Sequence, residues 1–159
     1  MKKGHSSLDG KSPRHEVREL REGDLNRGFL ETLEALNATG GLSPKDARKI
    51  FRTMKRNPLY HVFVAVTDDG RVIGATTLLV EQKFIHGGGP VGHIEDVVVR
   101  KGQQGKGVGR SLVRTAVKRA SELGCYKCIL DCKDELTGFY ERIGFRRYQT
   151  GMRIDLVQN

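Results

Sequence analysis

The sequence predicts one α/β (α+β) domain, a mixed sheet with helices on its faces. Two β-branched runs, residues 61–67 (HVFVAVT) and 72–81 (VIGATTLLVE), are joined by Asp68-Asp69-Gly70, the signature of an antiparallel hairpin. A later strand, 93–99 (HIEDVVV), leads through a glycine-rich turn into a long amphipathic helix and then into another strand, 126–132 (YKCILDC). A strand–helix–strand unit of that kind places its strands in parallel. With 159 residues the chain has room for one substantial core rather than two.

In order along the chain, residues 1–13 are polar, carry no periodicity and read as a mobile tail, which leaves 14–159 as the domain. A short strand fits 15–20. Asp24 then stands where a helix cap belongs, and Leu25, Phe29, Leu33 and Leu36 recur at helical spacing until 37–41 (NATGG) stops the run. Ser43-Pro44 opens a second helix. Ser caps it, Pro tolerates the first helical position, and Asp46 takes the place of the usual capping-box Glu; Ala47, Ile50, Phe51 and Met54 form one stripe. Asn57-Pro58 ends it, because the residue before a proline is pushed out of the helical region. After the hairpin come a loop at 83–90 (KFIHGGGP), the strand 93–99 and the turn 103–109 (QQGKGVG). The next helix aligns Val108, Leu112, Val113, Ala116, Val117, Ala120 and Leu123 on one face, and Gly124 closes it. A strand at 126–132, a short helix at 136–143 and terminal strands within 145–157 complete the expectation.

Composition narrows the function classes. No apolar run nears the ~20 residues of a membrane helix, and residues 1–13 lack the apolar centre of a secretory signal. Val157-Gln158-Asn159 is not a peroxisomal address, so the cytoplasm is the default expectation and no membrane partner is expected. Three cysteines, clustered at Cys125, Cys128 and Cys132, do not make a disulfide framework; free thiols are expected. Cys125 and Cys128 bridge a helix end and a strand and read as small buried residues rather than a redox or zinc pair. The 28 Lys+Arg against 19 Asp+Glu leave a net charge of +9, which attracts polyanions. Nucleic acid is not favoured: the six Phe and four Tyr are not interleaved with basic residues, and no helix–turn–helix or RNP-like motif is present.

The strongest chemical signal is the strand–turn–helix unit from 93 to 123. A helix N-terminus offers unpaired N–H groups and about half a positive charge, and glycines let an anion approach the backbone. Two common phosphate turns fail on spacing. The Walker pattern would need Gly where Gln104 stands, and a dinucleotide fingerprint starting at Gly105 and Gly107 would need Gly at Arg110. What fits is Q-x-x-G-x-G at Gln104, Gly107 and Gly109. The four glycines of 102–109 each cost conformational entropy, which a turn without a ligand has little reason to accept.

That turn resembles the acetyl-CoA pyrophosphate turn of the GNAT superfamily of N-acetyltransferases. The segments KFIH (83–86), GHIEDVVV (92–99), QGKGVG (104–109), GCYKCILDC (124–132) and GFYERIGF (138–145) resemble one family within it, the glucosamine 6-phosphate N-acetyltransferases. NATGGLSP (37–44) extends the likeness more weakly. The resemblance implies a GNAT-like, mostly antiparallel twisted sheet with a splayed strand pair that holds acetyl-CoA. It also implies a homodimer whose active sites use both chains. The implied reaction moves the acetyl group of acetyl-CoA to the 2-amino group of glucosamine 6-phosphate, a step toward UDP-N-acetylglucosamine. Carried onto matching positions, Lys83, Phe84, Ile85, His86, Glu95 and Asp96 contact the sugar phosphate. Val97, Val98 and Val99 hold the pantetheine, and Gln104, Gly105, Lys106, Gly107, Val108, Gly109 and Arg110 hold the pyrophosphate. Asp131 positions the amine and Tyr140 sits near the thioester sulfur.

Three positions depart from that family. Asn37 stands where Thr is frequent and keeps a polar contact with substrate. Leu136 replaces an Asn that helps bind CoA. Asp155 stands at the phosphate-binding Arg, and Arg153, two residues earlier on the same strand face, is expected to supply the charge instead.

Acyl transfer from a thioester to an amine requires a neutral amine at the carbonyl carbon, a donor for the developing oxyanion and a proton for the leaving sulfur. Holding two substrates in line contributes effective molarities of ~10⁵–10⁸ M, against ~10²–10⁴-fold from one acid or base, so no covalent enzyme intermediate is needed. Glu95 and Asp131 are the expected orienting carboxylates, a backbone N–H near Val97 the oxyanion donor, and Tyr140 the acid. On periodicity alone Tyr140, among Phe139, Ile143 and Phe145, reads as core; its catalytic reading rests on the resemblance. His93 and Glu95 share a strand face, but no third ligand follows at useful spacing, so no metal is expected. Arg110, Arg114 and Lys118 form a basic column that reads as a solvated helix face beginning beside the turn. The alternative substrate for such an enzyme is another amine: a polyamine, an aminoglycoside or a peptide.

Overall fold

The computed structural model describes residues 15–156; the expected tail at 1–13 and Val157 lie outside the described residues. Five strands form one sheet in chain order: β1 (His15–Glu19), β2 (Tyr60–Thr67), β3 (Val72–Glu81), β4 (Val91–Val99) and β5 (Lys127–Ile129). Neighbours are antiparallel from β1 to β4, and β5 runs parallel to β4, so the sheet is mixed and mostly antiparallel as expected. The helices are α1 (Phe29–Leu33), α2 (Pro44–Arg56), α3 (Val108–Glu122) and α4 (Thr137–Glu141).

Period-2 alternation divides the core between the two faces. Phe63, Ala65, Ile73, Leu78, Val80 and Ile94 point to one side, where α3 covers them with Leu112, Val113, Ala116 and Ala120. Val64, Val66, Val72, Ala75 and Val98 point to the other, against Leu20, Leu25, Phe29 and Ala47. Leu112 is fully buried, and a side chain of that size contributes roughly 1.5–3 kcal/mol by leaving water. The first turn of α3 rests directly on Gly74, where an added Cβ would lie 2.9 Å from both Val108 Cγ1 and Leu112 Cδ1. α2 is capped as its sequence predicts: the Asp46 N–H donates to Ser43 Oγ (3.1 Å), and the Ser43 hydroxyl donates to the Asp46 carboxylate (2.6 Å).

The continuous helix expected from Asp24 to Leu36 is instead two short turns. Glu22–Asn26 is 3₁₀, the chain turns left-handed at Gly28 (φ +94°), and α1 covers only five residues. The Asp24 carboxylate does not cap an α-helix. It accepts two hydrogen bonds from the Arg18 guanidinium (2.7 and 2.8 Å) and one from the Arg21 N–H (2.8 Å). The Val72 N–H donates to the Arg27 carbonyl (2.9 Å), and the buried Thr32 hydroxyl is shared by the Gly28 and Val72 carbonyls. These bonds tie the break to β3, and Leu36, last of the predicted stripe, is left exposed.

Two further expectations are corrected. β5 has three residues rather than the seven of 126–132, because its pairing with β4 ends at His93 opposite Ile129. No strand forms among the described residues after Phe145. Residues 146–156 have no neighbouring strand among the described residues, and Met152, Ile154 and Leu156 are exposed. The short helix near 136–143 is present as a 3₁₀ turn, Asp134–Leu136, running into α4.

Candidate active site

The site begins with an irregularity in β4. Thr77 pairs with Glu95 and Ala75 with Val98, so β4 carries one residue more than β3 over this stretch. The extra residue is accommodated at Asp96, whose φ of +51° places a non-glycine residue in the left-handed region. Such a conformation costs of order 1–3 kcal/mol and clusters at functional sites. The bulge also shifts the alternation: His93 and Glu95 lie on the α1/α2 side, whereas Val97 and Val99 turn their side chains into the α3 core.

Beyond His93 the strands part, since β4 continues for six residues after its last pairing with β5. The Arg100 N–H donates to the Ile73 carbonyl (2.9 Å), and Val98 is paired with Ala75. By alternation, the backbone groups of Val97 and Val99 face the side that β5 has left. The Val99 carbonyl there accepts a long hydrogen bond from Gln104 Nε2 (3.4 Å).

At the same end of the sheet, the turn 102–109 lifts the chain into α3. Gly105 and Gly107 have φ of +77° and +81°, and a Cβ added at either meets nothing within 4 Å. They are glycines for their backbone conformation, and the space above them is open. The first N–H groups of α3 lack helical partners, as at any helix start. Lys106, bonded to Gln103 Oε1 (3.1 Å), and Arg110 are exposed beside them. This open turn, with the free backbone edge of β4 and unpaired N–H groups, fits a pyrophosphate and an extended amide-bearing arm. Gly109 has a different reason: its added Cβ would lie 3.3 Å from Phe139 Cζ, so α4 packs against it.

Sequence reasoning missed the centre of the site. His93 Nδ1 is 3.2 Å from Glu81 Oε1, and Glu81 is also held by Lys83. His93 Nε2 lies 3.1 Å from Glu95 Oε1 and 3.9 Å from Asp131 Oδ2. The approach to Glu95 is off the line of a hydrogen bond, and Nε2 is buried without a partner. The structure therefore brings the predicted pair Glu95 and Asp131, both exposed, together over the buried Nε2 of a partly exposed imidazole. Lys83, through its hydrogen bond, holds the Glu81 carboxyl below its ordinary pKa; partial burial opposes this and the His93 contact adds to it. The period-2 spacing of His93 and Glu95 was a local signal, but Glu81 joins them only through the β3–β4 register.

Tyr140 is buried, its ring edge-on to Phe139 (4.9 Å) and Phe145 (6.0 Å), so the core reading of its periodicity is correct. Burial pushes its phenol above the ordinary pKa, with Cys132 nearby adding to the effect, and keeps it a proton donor at neutral pH. In the loop 83–90, Phe84 and Ile85 are exposed, while the His86 ring lies 4.4 Å from the Tyr126 ring. Asn37 follows α1, exposed, with its Oδ1 accepting from the Ala38 N–H (2.9 Å). Leu136 is half-exposed in the turn before α4. A Cβ on Gly151 would lie 3.5 Å from Asp131 Oδ1, so the C-terminal segment runs beside Asp131. Arg153, two residues on, is paired with Asp155 (Nε to Oδ1, 2.7 Å). Cys125, Cys128 and Cys132 are free, and burial pushes Cys128 up to about 11. Among the described residues no group of His, Cys, Asp and Glu is arranged to hold a metal ion, and no helix is long and apolar enough to cross a membrane.

Residues 26–145 match the sequence model of the acetyltransferase (GNAT) family. The glucosamine 6-phosphate N-acetyltransferase of Candida albicans is 42% identical over 130 residues, covering 81% of this chain and 87% of that protein. Glucosamine 6-phosphate N-acetyltransferase 1 of Oryza sativa subsp. japonica is 39% identical over 142 residues, covering 88% and 86%. The crystal structure of glucosamine-6-phosphate N-acetyltransferase from Arabidopsis thaliana superposes with a TM-score of 0.88 at 29% identity, covering 91% of this chain and 99% of that one.

Proposed function

The chain belongs to the acetyltransferase (GNAT) family and, within it, to the glucosamine 6-phosphate N-acetyltransferases, and from that premise we propose that it moves the acetyl group of acetyl-CoA to the 2-amino group of glucosamine 6-phosphate. The observation that carries this reading is the opening between β4 and β5, with the glycine turn of α3 at its mouth and the Glu95–Asp131 pair at its edge.

Gln104 to Gly109 offer backbone N–H groups to the pyrophosphate, with Lys106 and Arg110 adding charge. Val97 and Val99 offer backbone groups to the pantetheine, beside the buried Val98, and a Val97 N–H polarises the thioester carbonyl. Glu95 and Asp131 orient the amine, with Asp96, Asn37 and the loop Lys83, Phe84, Ile85 and His86 around the sugar. Arg153 meets the sugar phosphate by exchanging Asp155 for it. The Tyr140 phenol donates its proton to the leaving sulfur. A 2-amino sugar is less basic than a lysine because its ring substituents withdraw electron density, so positioning outweighs general-base strength.

The exposed alternation of Met152, Ile154 and Leu156 beside Asp131 supports a homodimer in which a second copy covers this segment and contributes to the site. The three free thiols suit the cytoplasm, where they stay reduced and where the product feeds UDP-N-acetylglucosamine synthesis. Thiol release from acetyl-CoA across a panel of amines tests the reading. Release with glucosamine 6-phosphate above that with polyamines, aminoglycosides and peptides is expected, and a preference for any of those overturns it.

A further inference from the structure

We propose that His93 is a positioning residue and proton reservoir, taking up through Glu95 the proton that the amine sheds. This rests on the reading of the site as an amino-sugar acetyltransferase. Among the described residues, the charged groups that face the ring are Glu81 from β3, backed by Lys83 just beyond it, Glu95 from β4, and Asp131 from the segment after β5.

The two ring nitrogens are in unlike settings. Nδ1 is within hydrogen-bond distance of a carboxylate that already belongs to Lys83, which fixes the tautomer with Nδ1–H donating to Glu81. In the neutral ring Nε2 then carries the lone pair, buried and unpartnered, 3.1 Å from one carboxylate oxygen and 3.9 Å from another. A lone pair beside anionic oxygens is unfavourable, and a proton arriving there converts the contact into a charge-assisted hydrogen bond.

The ammonium form of the amine gives one proton through the exposed Glu95 carboxylate to Nε2, freeing the lone pair that forms the C–N bond. As the C–S bond breaks, the sulfur takes the Tyr140 proton, and the second proton shed by nitrogen restores the phenol. The proton on His93 then returns through the exposed Glu95 carboxylate to solvent.

His93→Gln and Glu81→Gln are to be compared with wild type using glucosamine 6-phosphate over a range from about pH 7 to about pH 9, alongside melting temperatures. His93→Gln should lose ~100-fold in kcat near pH 7, in the range of one general base, with the acetyl-CoA KM within about twofold. The deficit should narrow to under about tenfold near pH 9, where the ammonium loses its proton to solvent without help. Glu81→Gln keeps an acceptor for Nδ1–H but removes its charge, and should show the same narrowing at about tenfold or less near pH 7. If His93→Gln does not fold, Glu81→Gln decides. Deficits of equal size at both ends of the range, or none, overturn the role of His93 while leaving the acetyltransferase reading intact. Wild-type protein inactive on glucosamine 6-phosphate overturns that reading and this proposal with it.

Discussion

Thr76 Oγ1 donates a 3.1 Å hydrogen bond to the Glu95 carbonyl across the β3–β4 pair, at the point where the next residue, Asp96, turns left-handed. Thr76 is fully buried, so water does not replace its hydroxyl. Thr76→Val keeps the shape and removes the donor, at a cost of about 1–3 kcal/mol in stability. With the bulge loosened, Glu95 drifts from the amine, and kcat should fall about tenfold or more, since a misplacement of about 1 Å can cost ~100-fold. Thermal unfolding and steady-state kinetics check both parts; a stability loss with kcat unchanged would detach the bulge from catalysis.

The two glycines at the start of α3 should fail differently when changed to alanine. At Gly107 the space is open but φ is +81°, which costs an alanine ~1–2 kcal/mol. Gly107→Ala should raise the acetyl-CoA KM about tenfold, as one such cost lost in the turn implies, with the sugar KM little changed. At Gly109 the new methyl presses on Phe139, whose ring abuts Tyr140. Gly109→Ala should therefore lower kcat as well as acetyl-CoA affinity. Initial-rate kinetics with each substrate varied in turn separates the two patterns.

Tyr140→Phe removes one oxygen from a well-packed ring and should leave the melting temperature nearly unchanged. The kcat should fall ~100-fold, within the range of a lost general acid, with the acetyl-CoA KM within about twofold. Because burial raises the phenol pKa, the wild-type activity should persist on the alkaline side past the ordinary tyrosine value before it declines. Turnover unchanged in the variant removes Tyr140 from the chemistry.

Asp24 governs an acid limb of stability. Burial pushes its carboxyl up, but the Arg18 hydrogen bonds and the Arg21 N–H outweigh that, and the folded-state pKa is lower than the ordinary value. A carboxyl depressed on folding stabilises the fold above its unfolded pKa, and that contribution is lost as pH falls through the folded value. Asp24→Asn should cost about 3 kcal/mol near neutrality, the loss expected when one partner of a buried pair is removed. The gap between its melting curve and that of the wild type should close as pH is lowered past the carboxylate range. A gap independent of pH would assign the effect to packing.

The glycine turn and α3 were legible because each is written locally: fixed spacing in one, a 3.6-residue stripe in the other. The same holds for the Ser43 cap and the Asp68-Asp69-Gly70 hairpin. The His93 cluster was not, because Glu81 reaches it through a register set by the whole β3–β4 pair, and Asp131 only by the placing of the segment after β5. The split of the first helix depended on where Arg18 and Val72 would come to lie, 6 and 48 residues away from Asp24 in sequence. The terminal strands expected within 145–157 do not form among the described residues: Met152, Ile154 and Leu156 alternate, but alternation carries a tendency to pair and not the partner. Tyr140 shows the converse: its periodic position in the core and its place beside Cys132 are one location.

The most direct test of the account is the ratio of kcat/KM for glucosamine 6-phosphate to that for glucosamine, with acetyl-CoA saturating and the acetylated product identified by mass. A phosphate bound by a guanidinium and loop N–H groups should make that ratio ~100 or more, two charge-assisted hydrogen bonds' worth of discrimination. A ratio near one, with both amines acetylated, would contradict the sugar-phosphate specificity at the centre of the account.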